Sequence, residues 1–581
     1  MPNRKMASEL LPAISSPPIS SGEIALARAE WQSIFFSEWP ARLDLLKLQV
    51  TWPLTPLRIR VHRNHAFEHV ADVASRWFAW WGRDAQVSYS DYDDSLSFRL
   101  DDSQDPHLEL VWLDLQHYAQ KFTPPELAPW LSERLTTLRS LSSAPIALAL
   151  IGAPPDAHEA LVASSRTIAG LRVVDLGPIQ QELGQRFFDE RAAKFSGTRL
   201  SNPACLRVAR ELACRWAPSL TTPPIKAVAL DLDHTLYEGV LGEDGTQVRL
   251  TPGHLSLQQH LLALREKGVF LALTSRNEEP DVRRLFTERS DFPLRWEHFS
   301  ATSVNWGSKG ESLRQVAQSL RIGLDAILFV DDNPGELASV AAELPSINTL
   351  HAASDTSVTL RALQYYPGLW RWERSATDTV RVADLDAEPE RARLAAAAAN
   401  PEEYLRSLRV SLRIEVNPRP HLARMHELTQ KTNQFNLNLE RCSEAELAEL
   451  LASPDHRLAV IALSDRLSDS GLVGLVVASR EAETLVIREV AISCRALGRR
   501  LEDLMIASAV RALLQELPSP RVEFLHRSGP RNAPARQWLS QLVSASLPEQ
   551  GRSPAHTSLS RIRAQDYPVE VAVIHHEFKR D

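Results

Sequence analysis

The 581-residue chain is poor in cysteine, methionine and glycine, with 4, 4 and 22 residues of each. Its cysteines, Cys205, Cys214, Cys442 and Cys494, are too few and too scattered for a disulfide framework or a CxxC metal site. Scarce glycine set against 37 prolines makes linkers stiff rather than floppy. A basic surplus is missing as well: the net charge is −8, so nothing advertises binding to nucleic acid or to an acidic membrane. No stretch approaches the run of about 18 apolar residues that a membrane span needs. The opening MPNRKMASELLPAISSPPISSG lacks the continuous apolar core of a signal peptide and reads as a flexible Pro/Ser lead-in. Internal repeats are absent, and a cytoplasmic enzyme is the expectation.

What is present is ordinary globular composition, 44% hydrophobic and 24% charged, in a chain long enough for three or four domains. After a flexible segment (1–21), periodicity divides it into blocks. In the first (22–220), β-like runs such as LRIRV, AQVSY, LELVWLDL, APIALALIG and LRVVDL alternate with helix-length amphipathic segments. That alternation predicts a parallel, doubly wound sheet. Trp77, Trp80 and Trp81 recur at helical spacing, which predicts a core face or a domain contact. The second block (221–370) is a tighter βα alternation. An Ala-rich stretch, AEPERARLAAAAANPEEYLRSL, lies in a helical connector (371–407). The third block (408–581) mixes strands and helices around a hairpin, GLVGLVVASR then TLVIREVAI, followed by a turn and a helix from Arg500 to Leu517.

The second block carries most of the chemistry. An apolar strand, Ala227 to Leu230, runs into Asp231, Asp233 and Thr235. Carboxylates two apart at a strand end can share a divalent metal while keeping separate roles, one attacking phosphorus and the other moving a proton. Three further pieces follow in order: VFLALTS ending in Ser275 with Arg276 and Asn277, then Lys309 ahead of a helical run, then AILFV ending in Asp331 and Asp332. A hydroxyl and an ammonium at neighbouring strand ends suit phosphoryl oxygens, and the second acidic pair completes a hard-cation site. For Asp332, capping the following helix is an equal alternative to metal contact. Between Asp233 and the helix near His254 there are about twenty residues, room for a flap but not for a capping domain. An uncapped site admits a macromolecular substrate.

This set resembles the haloacid dehalogenase superfamily. The resemblance implies that Asp231 is the nucleophile and Asp233 the general acid/base. It implies phosphate contacts from Thr235, Ser275, Arg276, Asn277 and Lys309, and Mg²⁺ held by Asp231, Asp233, Asp331 and Asp332. The wider sequence is similar to the FkbH-like glyceryl transferase/phosphatase family of polyketide biosynthesis. DLDHTLYEGVLGEDG, TSRNEE, VNWGSKGESLRQVA, LFVDDNPGE, KTNQFNLN, DRLSDSGLVG and SCRALGR carry that likeness. It implies capture of the glyceryl group of 1,3-bisphosphoglycerate, loss of phosphate, and delivery to the phosphopantetheine thiol of an acyl carrier protein. The first block then resembles a flavodoxin- or SGNH-hydrolase-like sheet without an evident nucleophile, and the third an acetyltransferase-like (GNAT) fold.

In the third block, Arg495 and Gly498 form an R-x-x-G turn before a helix, which with Arg499 suits a pantetheine phosphate or is a plain strand-to-helix turn. Cys494 in that turn is either a thiol that carries the acyl group, favoured as thiolate by Arg495, Arg499 and Arg500, or a packing residue. Asn433, Gln434 and Asn436 either bind an acyl-pantetheine chain or cap turns. Departures from the family pattern include Thr274 where members carry a cysteine before the serine, Arg500 where a glycine or alanine stands, and Glu238, an extra carboxylate near the entrance. His62 and His65, in HRNH, read as solvated loop histidines. The leading expectation is a Mg²⁺-dependent enzyme that loads a three-carbon acyl unit from a phosphorylated donor onto an acyl carrier protein. The alternatives are a different phosphorylated acyl donor, or a non-catalytic assembly-line scaffold.

Overall fold

The computed structural model describes residues 19–576 apart from 94, 99–103, 119–120, 154, 192, 373–379, 381–382, 498 and 563–566. Three sheets follow one another along the chain. The first is parallel throughout, with strands β1 (Thr55–Arg63), β2 (Arg83–Tyr92), β3 (Leu108–Asp114), β4 (Ile146–Ile151) and β5 (Leu171–Val174) in the order β2-β1-β3-β4-β5. That is the flavodoxin-like order of a doubly wound sheet. Every residue of β3 and β4 is buried, because helices cover both faces. Helix Glu68–Trp80 packs on one face through Val70, Val73 and Trp77, and helix Pro124–Leu141 on the other through Leu131, Leu135 and Leu138.

The second sheet is also parallel: β6 (Ala227–Leu230), β7 (Phe270–Ser275), β8 (Phe299–Val304), β9 (Ile327–Asp331) and β10 (Asn348–His351), ordered β10-β9-β6-β7-β8. This is a Rossmann-like, doubly wound sheet. The third is mixed: β11 (Ser411–Val416), β12 (His456–Ser464), β13 (Asp469–Glu481), β14 (Thr484–Ile492), β15 (Arg521–Arg527), β16 (Gln550–Pro554) and β17 (Glu570–His575), ordered β16-β15-β14-β13-β12-β11-β17. Strands β11 to β14 are antiparallel neighbours, whereas β14 and β15 run parallel and pair only from Thr484–Ile487 to Arg521–Phe524. Beyond those residues the two strands part. No helix of the described residues is long and apolar enough to cross a membrane.

The first two blocks are not separately cored. Helix Ser21–Phe35, opened by a Ser20/Glu23 capping box, lies on helix Pro334–Glu343 of the second block. A Cβ at Gly22 would stand 2.8 Å from the carbonyl oxygen of Ala338, so only glycine permits that approach. Gln32 Nε2 donates to the carbonyl of His351 at 2.7 Å. The tryptophan stripe serves both purposes expected of it: Trp77 and Trp80 are core residues, and Trp80 meets Tyr366 edge-on with centroids 6.1 Å apart. One apolar cluster runs through both blocks.

The expectation of solvated histidines is overturned. His62 and His65 are buried at the carboxyl end of β1. His62 Nε2 pairs with Glu109 at 3.0 Å beside Arg60, while His65 stacks on Trp112 and meets Thr198 Oγ1 at 3.1 Å. The strand continues two residues further than LRIRV, to Arg63, and so carries His62 inward.

Candidate active sites at two strand ends

Strands β6, β7 and β9 are short and apolar, so the first polar residues after each emerge together at the carboxyl edge of the sheet. One carboxylate oxygen each from Asp231, Asp331 and Asp332 lie within 4.8 Å of one another. Lys309, at the start of helix Lys309–Ser319, donates to Asp231 Oδ1 and, at 2.6 Å, to the carbonyl of Thr274, and lies 3.4 Å from Asp331 Oδ2. Burial pushes the pKa of all three aspartates up, and the Lys309 ammonium pulls Asp231 and Asp331 back toward the ionised form. Three clustered carboxylates with a single ammonium among them leave negative charge uncompensated, and Asp331 Oδ2 makes no hydrogen bond. An all-oxygen, all-anionic set of this kind fits a hard divalent cation.

The two alternatives for Asp332 are resolved by its neighbour. Asn333 caps helix Pro334–Glu343 by accepting from Gly335 N, so Asp332 is left to the acidic cluster.

Asp233, expected among the metal ligands, turns elsewhere. Its Oδ1 accepts from Tyr237 Oη at 2.6 Å and from Leu241 N at 2.9 Å, and its Oδ2 from Asn277 Nδ2 at 3.0 Å. The same Asn277 amide donates to Ser275 Oγ at 3.0 Å, linking the flap aspartate to the second strand end. Directly after Asp233, His234 adopts a left-handed backbone (φ 54°), uncommon for a residue with a side chain. Thr235 is buried and its hydroxyl has no hydrogen-bond partner among the described residues. Arg276, expected on phosphate, pairs instead with Glu336 at 2.6 Å. Glu238 does not add a bare charge at the entrance, since it is ion-paired with Arg249 across an isolated β-bridge. Thr274, standing where the family carries cysteine, is fully buried with its hydroxyl 3.4 Å from the carbonyl of Leu230.

In the third block the expected residues disperse. Gly498 lies outside the described residues. Arg499, expected to hold a pantetheine phosphate, is buried in an ion cluster: Nη2 lies 3.0 Å from Asp384 Oδ1 and Nη1 3.2 Å from Asp465 Oδ2. Arg391 from the connector binds the same two aspartates at 2.9 Å each. Ser468 and Ser470 donate to Asp384 as well. The DRLSDSG motif therefore ties the connector to the third sheet, a role that sequence reasoning missed because Asp384 stands about eighty residues before the motif.

Cys494 and Arg495 do meet a cavity. A chamber of about 130 Å³ is lined by Ser493, Cys494 and Arg495 at the end of β14, by Asn433 and Gln434, and on its far wall by Lys226 and Phe270. Lys226 and Phe270 lie at the amino ends of β6 and β7, so the chamber and the aspartate cluster occupy opposite ends of the second sheet. Cys442 lies away from the chamber, in a separate apolar cluster. It is buried against Met425, Leu428 and Leu447, and burial pushes its thiol up to about 12.

KTNQFNLN has a structural task as well. Phe435 to Leu437 fill the gap where β14 and β15 part: Leu437 N donates to Val490 O, Ile492 N to Phe435 O, and Arg527 N to Leu437 O, at 2.8–3.1 Å. Asn436 is buried and caps a turn by accepting from Leu439 N at 2.7 Å. Asn433 accepts from Arg441 at 2.7 Å.

No protein-family model matches the chain, and no curated protein does either. Among solved structures, the chain is similar to the N-terminal part of a Bacteroides fragilis protein containing a phosphatase domain, complexed with Mg. Identity is 16%, coverage 57% of this chain and 98% of that one, and the TM-score 0.43. Two structures of spermidine N-acetyltransferase from Vibrio cholerae, both of mutant forms, each align over 26% of this chain and 98% of theirs at 16% identity, with TM-score 0.19. Likenesses this weak carry no mechanism, and the class of each block rests on its own strand order and strand-end residues.

Proposed function

We propose that the chain is a Mg²⁺-dependent enzyme that dephosphorylates a phosphorylated three-carbon acyl donor, such as 1,3-bisphosphoglycerate, and delivers the acyl unit to the thiol of an acyl carrier protein. The observation that carries this reading is the joint placement of Asp231, Asp331, Asp332, Lys309 and Ser275 at adjoining strand ends. Mg²⁺ held by Asp231, Asp331 and Asp332 would neutralise charge on a phosphoryl group. The remaining chemistry belongs to the side chains. Asp231 attacks phosphorus and the bond to the departing oxygen breaks, leaving a phosphoaspartate that water then hydrolyses. Lys309 and Ser275 orient the phosphoryl oxygens. Asp233, held by Tyr237, Leu241 N and Asn277, gives a proton to the departing oxygen and takes one from the water.

Which phosphate leaves by this route follows from the energetics of the donor. Attack by Asp231 on the acyl phosphate would release a free carboxylate that cannot acylate a thiol. The ester phosphate is therefore the one removed by Asp231, and a thiol displaces the anhydride phosphate at the carbonyl carbon. Thr274 offers no thiol beside Asp231, which favours direct attack by the carrier's own thiol or relay through Cys494. The same substitution is the ground for a second reading, a different phosphorylated acyl donor.

Phosphate release from a glyceryl phosphate donor, with Mg²⁺ and with a chelator, tests the proposal together with mass spectrometry of the carrier. Release that is Mg²⁺-dependent and lost in Asp231→Asn is the expected result. Absence of release from every phosphomonoester and acyl phosphate offered would overturn it.

A further inference from the structure

A second cavity, of about 1060 Å³, opens where the three blocks meet. It shares Pro223, Pro224, Arg424, Glu427 and Gln430 with the chamber that ends at Cys494, so the two adjoin. In a chain of net charge −8 its wall is conspicuously basic, with seven arginines and three histidines against four carboxylates. Some of these charges are neutralised in place: Arg172 pairs with Glu444 at 2.8 Å and Arg424 with Glu427 at 2.8 Å.

Three are not. Arg83, Arg139 and Arg441 come from the first block, the first block and the third block, and none has a carboxylate within ion-pairing distance among the described residues. Arg83 lies over the ring of Trp81, 5.5 Å from its centroid. Arg139 donates to the carbonyls of Ala169 and Ala144, and Arg441 to that of Thr432 and to Asn433. Burial lowers the pKa of all three guanidiniums. Carboxylates at longer range offset part of that cost, Glu109, Glu449, Glu444 and Glu446 for Arg139 and Glu489 for Arg441. Partly buried cations without a contacting carboxylate favour an anionic ligand, and guanidinium selects phosphate geometry.

Length supplies the second constraint. A free phosphate fills a small part of this volume. A ligand that puts its phosphate among these arginines and extends past Arg424 into the narrow chamber must be long and thin. The gap between β14 and β15, where an extended amide chain would otherwise find unpaired backbone, is already occupied by Phe435 to Leu437.

We infer that this basic cleft is the entrance for a protein-borne 4′-phosphopantetheine arm, with its phosphate among the arginines and its thiol directed to the chamber of Cys494. The inference rests on the proposed acyl transfer for the identity of the arm. It adds that the arm enters at the amino end of the second sheet, opposite the aspartate cluster, and that Arg83 and Arg441 rather than Arg499 meet the phosphate.

Calorimetric titration with 4′-phosphopantetheine, pantetheine and coenzyme A tests it on the intact chain. The phosphorylated arm should bind about tenfold or more tighter than pantetheine, the worth of one charge-assisted phosphate contact. That gap should shrink to less than about threefold in Arg83→Gln/Arg441→Gln. Cys494 is the only one of the four cysteines not buried, so its alkylation by N-ethylmaleimide reads the chamber without any arginine variant. Phosphopantetheine should slow it and inorganic phosphate should not. Equal affinity for pantetheine and its phosphate, or an alkylation rate indifferent to the arm, would overturn the inference. Coenzyme A binding about a hundredfold tighter than the arm would also overturn it, making the cleft a nucleotide-cofactor site. Asp231→Asn should bind the arm as the wild type does, so phosphate release retained in Asp231→Asn with arm binding intact would sink only the proposed phosphatase chemistry.

Discussion

At the carboxyl end of the second sheet, motif residues from four segments converge on one another; at the end of β14, motif residues from one turn separate. Asp231, Ser275, Lys309 and Asp331 had little choice. Each follows a short buried strand or begins the helix after one, and parallel neighbours in fixed register bring such positions to a common edge. The turn after β14 is different. Its arginines are long and have several carboxylates within reach, and Arg499 goes to Asp384 of the connector while Arg495 remains with Cys494 at the chamber. Charged residues anchored at strand ends are thus positioned by the local pattern. Charged residues in a turn are positioned by whatever counter-charge the tertiary fold brings.

The largest effect that would break this comparison is catalytic. Asp231→Asn should lower phosphate release by at least about 10³-fold, as loss of an attacking group does, with the circular dichroism spectrum unchanged. Cys494→Ala should leave phosphate release intact and lower carrier loading if the thiol relays the acyl group. Wild-type loading by Cys494→Ala would assign attack to the carrier thiol itself.

Next in size is the ion cluster. Arg499→Ala leaves Asp384 and Asp465 short of one buried partner and should cost about 3–5 kcal/mol in denaturant unfolding of the third block. An unchanged midpoint together with weakened arm binding would return Arg499 to the phosphate role that its sequence context suggested.

His65 gives a pH signature of similar size. Burial pushes its imidazole down to about 4 in the folded chain, against about 6.5 when unfolded. Below 6.5 the unfolded chain takes up a proton that the folded chain refuses. The associated stability, about 3 kcal/mol, is therefore complete above pH 6.5 and lost as the pH falls toward 4. The acid slope of stability over that window should flatten in His65→Gln.

The smallest expected effect is metal linkage. Mg²⁺ at about a hundred times its Kd should stabilise the wild type by about 2–3 kcal/mol, read as a rise in thermal midpoint that Asp331→Ala mostly abolishes. An equal rise in both proteins would place the ion elsewhere.

Sequence by itself determined the α/β class, the alternation in the first two blocks, and the aspartates, serine and lysine at the strand ends. Those features depend on periods of two and on apolar runs that end in a charged residue, both local properties. Tertiary structure alone decided the rest. It fused the first two blocks through helix Ser21–Phe35, drew His62 and His65 inward, and turned Asp233 to Tyr237 and Asn277. It set the DRLSDSG and KTNQFNLN motifs to holding the connector and filling the gap between β14 and β15. Each of those outcomes pairs groups far apart in the chain, where the desolvation of a charge or an unmet backbone hydrogen bond selects the partner. No local pattern encodes that selection.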